Sequence, residues 1–182
     1  VIPRLVMQGY TVIASEILSQ SSRPPSHIFL QAGVGGFAAS VVAHIDLLLG
    51  PERPKFIIVE PERAACLFES NVVNKPVKVS ADQPTVMAML ECYEPSLLAW
   101  DILSRLADAY MTVQDDEAIS AVRILESPDG DDLPVVSRES GAAGLAGLVA
   151  ALRSPKACRL LGLGPASRIL IVNTEGVLPA FP

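Results

Sequence analysis

His27-Ile28-Phe29-Leu30-Gln31-Ala32-Gly33-Val34-Gly35-Gly36 is the stretch on which the fold reading turns. Its first five residues lack polar alternation, as expected of a short strand buried on both faces. Glycines then interrupt the strand, and Gly36–Leu49 reads as a helix stopped by Gly50-Pro51. Strand, glycine turn and helix in that order are one half of a parallel α/β unit. Glycine permits positive φ and a close approach of backbone to ligand. The following helix offers free N–H groups and a positive dipole end, which suit a phosphate. A tight turn that serves only helix–strand packing explains the same glycines, and from the loop alone both readings stand.

Outward from this unit, Lys55–Val59, Ala109–Val113 and Arg168–Val172 read as further apolar strands. Helices are predicted over Tyr10–Leu18, Arg63–Ser70, Pro84–Cys92, Ser96–Ala107, Asp115–Glu126 and Gly141–Leu152. Apolar strands separated by helical stretches predict a three-layer α/β fold, an open, mostly parallel sheet with helices on both faces. A chain of 182 residues fits a single domain over 1–182.

Half of the residues are hydrophobic, so a substantial core is expected. No run of about 20 apolar residues occurs, so no spanning helix is predicted and no membrane partner is expected. The formal charge is −6 and no Lys/Arg run is present, which argues against nucleic acid or an anionic membrane surface. In so acidic a chain, a phosphate must be held by backbone N–H groups. Cys66, Cys92 and Cys158 show no CxxC spacing, and His27 and His44 are the only histidines, so no metal site is expected. Thiols without a pairing pattern, and no secretory signal, suggest a reducing, cytoplasmic location. A hydrolase is disfavoured by the lack of G-x-S-x-G and of a histidine after a final strand.

Gly33-x-Gly35-x-x-Ala38 also fits a dinucleotide fingerprint, with Glu60 near the ribose-binding acid position. Against an NAD-type domain, that fingerprint normally follows the first strand of its domain, and here a helix precedes it. Ser140 is placed to cap a helix of Ala and Gly, small either for tight packing or to admit a cofactor ring. Asn173-Thr174-Glu175-Gly176 ends the last strand. Gly33, Glu60 and Thr174 thus fall at C-terminal strand ends, where open parallel sheets bind ligands.

Five phrases carry a resemblance: Met7-Gln8-Gly9-Tyr10, Leu30-Gln31-Ala32-Gly33-Val34-Gly35, Ile57-Ile58-Val59-Glu60-Pro61, Glu139-Ser140-Gly141-Ala142 and Asn173-Thr174-Glu175-Gly176. In that order, from Ile2 to Gly176, the chain resembles the C-terminal part of the diaminopropionate ammonia-lyase family, among the tryptophan-synthase-β-like pyridoxal-phosphate enzymes. The resemblance implies pyridoxal 5′-phosphate as cofactor and a small amino-acid substrate. The implied reaction is α,β-elimination of 2,3-diaminopropionate to pyruvate and ammonia, and the implied assembly is a homodimer. It implies that Gly33, Gly35 and Gly36, with the Val34 amide, hold the phosphate. Asn173 or Thr174 would face the pyridine nitrogen, and Glu60 and Ser140 would shape the wall. The family's Schiff-base lysine lies upstream of the Met7-Gln8-Gly9-Tyr10 phrase. Lys55, Lys75, Lys78 and Lys156 lack its setting, so no catalytic residue is assigned in this chain. The expectation is a lyase active only with an N-terminal, lysine-bearing segment. The rivals are a non-catalytic remnant that binds a phosphate ligand or protein partner, and the dinucleotide domain.

Overall fold

The computed structural model describes residues 2–176. At its centre is β1 (His27–Gln31), flanked by β2 (Lys55–Pro61) and β4 (Ile169–Ile171), with β3 (Ala109–Val113) outside β2. All three pairings are parallel, and Phe29 sits opposite Ile57 on one side and Ile171 on the other. The order β3-β2-β1-β4 sends the chain from β1 toward β2 and later returns it to the other side of β1. The strand order therefore reverses between β1 and β4, which is where open α/β sheets form their ligand crevice.

The pleat divides the strands between two cores. Ile28, Leu30, Phe56 and Ile58 point into one, Phe29, Ile57 and Val59 into the other, all fully buried. Burial of each such side chain contributes roughly 1.5–3 kcal/mol before the cost of ordering. The first core is closed by α1 (Ile2–Gln20), α2 (Gly36–Leu49), α3 (Cys66–Val73) and α4 (Leu97–Leu106). The second is closed by α5 (Asp115–Glu126), α6 (Glu139–Leu152) and α7 (Pro155–Leu161). The result is the expected three-layer parallel fold. No helix among the described residues is long and apolar enough to cross a membrane.

Three local expectations are corrected. Pro84–Cys92 is not a helix, and only Ala88–Leu90 forms a single 3₁₀ turn. Side chains there compete for the backbone: Thr85 N donates to Glu91 Oε2, Met87 N to Thr85 Oγ1, and Thr85 Oγ1 to Asp115. The helix expected over Arg63–Ser70 begins at Cys66, because the buried Glu60 carboxyl group accepts from Leu67 N at 2.9 Å and Phe68 N at 2.6 Å and so fixes its first turn. Helix α7 was missing from the expectation. Its signals are a Ser154 cap that accepts from Ala157 N, Pro155 at the first position, and Gly162 at φ 74° after its end.

Helix α6 lies on the sheet through Gly144 and Gly147, while Gly141 faces the segment that follows β4. A Cβ at Gly144 would stand 2.9 Å from the Phe29 carbonyl oxygen, and one at Gly147 2.7 Å from Val59 Cγ2. A Cβ at Gly141 would collide with Asn173 Oδ1. Its small residues are thus explained by packing, and of α6 only Ser140 reaches the crevice.

Candidate functional site

A cleft of about 1230 Å³ opens at the C-terminal ends of β1 and β4. Its floor is the Gly33-Val34-Gly35-Gly36 turn and the first turn of α2. Tyr10 and Met7 of α1 form one side, and Met89 and Leu90 form another. Tyr10 stacks edge-on against Phe37 with ring centroids 5.6 Å apart, which ties α1 to the start of α2.

The turn needs its glycines for different reasons. Gly35 has φ 93°, in the left-handed region, and is packed from below by Leu67, Ala99 and Leu103. Gly33 lies against the 88–92 turn, where a Cβ would be 2.9 Å from Cys92 Sγ and 3.3 Å from Leu90 Cα. The turn is pinned by Ala32 N to Val59 O (2.9 Å) and Ser96 N to Val34 O (3.0 Å). No side chain caps α2 at Gly35, so the N–H groups of its first turn lack intrahelical partners where Gly36, Phe37 and Ala38 border the cleft. No Lys, Arg or His lines the cleft among the described residues, and its charged side chains are Glu94 and Glu175. A bound phosphate would therefore meet backbone donors and the dipole of a 14-residue helix, with no basic patch. The residues present fit a phosphate-bearing cofactor of modest size.

At the end of β4, Asn173 and Thr174 both border the cleft but are used differently. The Asn173 amide donates to Val136 O (2.9 Å) and accepts from Ser137 Oγ (3.0 Å) and Glu175 N (3.2 Å). Thr174 Oγ1 accepts from Gln31 Nε2 at 2.7 Å and makes no other hydrogen bond among the described residues. Ser140 borders the cleft, nearly buried, accepting from Met89 N through Oγ and donating its N–H to Glu175 Oε2. It joins the 88–92 turn to the β4 end.

Glu60 is not brought to the cleft. Fully buried under α3, its carboxyl is pushed up to about 8 by burial, against the two backbone N–H bonds that favour the charged form. Burial likewise raises the Cys66 thiol, whose Sγ lies 3.7 Å from the Gly33 carbonyl. Gln31 is the residue to which the sequence reading gave no role. A polar residue closing an apolar strand, just ahead of the glycine turn, was the signal available.

The family model of pyridoxal-phosphate dependent enzymes matches residues 3–175, and the chain belongs to that family. Within it, the chain is 38% identical over 181 residues to the diaminopropionate ammonia-lyase of Escherichia coli (strain K12), covering 96% of this chain and 46% of that enzyme. The crystal structure of holo diaminopropionate ammonia lyase from Escherichia coli superposes with TM-score 0.88 at 36% identity, over 96% of this chain and 45% of that one. A probable D-serine dehydratase of Pseudomonas aeruginosa is 28% identical over 164 residues, which are 83% of this chain and 36% of that protein. The chain thus spans less than half the length of the curated relatives it matches.

Proposed function

We propose that this chain supplies the phosphate cradle and ring-binding wall of a pyridoxal-phosphate lyase acting on 2,3-diaminopropionate to give pyruvate and ammonia. The observation that carries the reading is the uncapped start of α2, beneath the left-handed Gly35, opening into the cleft at the strand-order reversal. When bound, pyridoxal phosphate takes up the negative charge that develops at the substrate α-carbon. Backbone N–H groups of Gly35, Gly36 and the first turn of α2 hold the phosphate. Thr174 meets the ring nitrogen, because its hydroxyl is not tied into the strand-end network that occupies Asn173. Ser140 holds the wall. Met89, Leu90 and Tyr10 exclude water from the ring faces.

No lysine lines the cleft among the described residues, so the lysine that holds the cofactor comes from polypeptide outside these 182 residues. The dinucleotide reading loses its support, since the acid it requires, Glu60, faces α3 backbone. A cytoplasmic location accords with three free thiols, and a homodimer with apolar side chains left at the surface, among them Leu47, Leu97 and Leu160. The test is pyruvate formation from 2,3-diaminopropionate and cofactor. The 182 residues alone should form none, and the polypeptide encoded together with its upstream sequence should form it. No turnover by the longer polypeptide, or turnover by the 182 residues alone, contradicts the reading.

A further inference from the structure

Gln31 ends β1 at 2% exposure, with its side chain directed across the sheet toward the end of β4. Its Nε2 donates to the Val172 carbonyl at 2.7 Å and to Thr174 Oγ1 at 2.7 Å. A backbone carbonyl only accepts, so nitrogen rather than oxygen must face Val172, and this fixes the orientation of the amide. The second hydrogen of the same nitrogen then falls on Thr174. The Thr174 oxygen is thereby an acceptor on its buried side, and its own proton has no acceptor among the described residues. That proton is left for the cleft, which Thr174 borders. The arrangement leaves Gln31 Oε1 buried without a partner. An apolar side chain of similar length would fill the same space without an orphaned oxygen, so packing alone does not account for an amide here.

We propose that Gln31 is a positioning residue that makes the Thr174 hydroxyl a hydrogen-bond donor to an unprotonated aromatic ring nitrogen in the cleft. The inference rests on the cofactor reading above. A protonated ring nitrogen would be a donor, and accepting it through the remaining lone pair of Thr174 Oγ1 would leave the hydroxyl proton without an acceptor among the described residues.

The test loads the protein with pyridoxal phosphate labelled with ¹⁵N in the ring and reads the ring-nitrogen NMR shift and the dissociation constant. The unsubstituted protein should show an unprotonated, hydrogen-bonded nitrogen whose shift does not move across the neutral pH range. Gln31→Met should weaken binding about three- to tenfold, the scale of one lost hydrogen bond, and make that shift pH-dependent. Should Gln31→Met fail to fold, Thr174→Val carries the test with the same expected losses, and Thr174→Ser should restore both readouts. A protonated nitrogen in the unsubstituted protein, or an unchanged constant and shift in the variants, overturns the inference alone. No cofactor binding by the unsubstituted protein overturns the cofactor reading and this inference with it.

Discussion

Replacing Gly35 by alanine sets two separable costs on one residue of the glycine turn. At φ 93° a β-carbon is strained by roughly 1–2 kcal/mol. The new methyl would also stand 3.0 Å from Leu67 Cδ1, 3.1 Å from Ala99 Cβ and 3.3 Å from Leu103 Cδ1, all on fully buried residues. The leucine contacts are with the ends of flexible side chains, but Ala99 Cβ is fixed to α4 and yields only if the helix shifts. Overpacking of this kind costs about 1–3 kcal/mol. Gly35 precedes α2, so no gain in helix propensity offsets these costs. The expected loss is about 2–5 kcal/mol, a large share of an ordinary folding free energy of about 5–15 kcal/mol. Urea unfolding followed by circular dichroism reads it as a lower midpoint at unchanged slope. Gly36→Ala is the control, since its Cβ would meet only Met7 Cγ at 3.9 Å. A Gly35→Ala loss below about 1 kcal/mol, or an equal loss in both variants, refutes the reasoning that the left-handed backbone and close packing at Gly35 demand a glycine.

Gly144→Ala should lower stability by about 1–3 kcal/mol despite a better helix former, because its Cβ meets the Phe29 carbonyl oxygen at 2.9 Å, and a thermal melt no lower than the parent's would contradict this. Gly9→Ala, mid-helix in α1 with nothing within 4 Å of its Cβ, should instead raise stability by about 0.5–1 kcal/mol in the same melts. The Glu60 carboxyl, raised from 4.5 to about 8 by burial, binds its proton more tightly folded than unfolded. Its contribution is therefore fully present below about pH 4.5 and is lost as pH rises through about 8. Unfolding free energies measured over that range should fall with pH in the parent and lose that component of the slope in Glu60→Gln; parallel profiles would show that burial does not hold this proton.

Much of the fold was legible because its signals are local. The apolar pentads at His27–Gln31 and Ala109–Val113, and the acidic start at Asp115, specify their elements within a few residues of themselves. The Pro84–Cys92 segment was misread because Thr85 and Glu91 capture backbone groups, a competition that apolar spacing does not report. The glycine turn was readable as a connection between a buried strand and a helix, but the small residues of α6 were ambiguous until their contacts with Phe29 and Val59 showed them pressed on the sheet. Position at a strand end placed Glu60 near the crevice without giving the direction of its side chain, which turns under α3. The choice between Asn173 and Thr174, and the part played by Gln31, depend on hydrogen bonds between residues more than 30 apart in sequence. No local pattern encodes those.

The most direct test of the account is a titration of the purified protein with pyridoxal 5′-phosphate, pyridoxal and NAD, read by calorimetry. The account predicts saturable binding of pyridoxal 5′-phosphate, far weaker binding of pyridoxal, which lacks the phosphate, and no binding of NAD. Equal affinity for pyridoxal and its phosphate, or preference for NAD, would contradict the assignment of the Gly33–Gly36 turn as a cofactor-phosphate cradle.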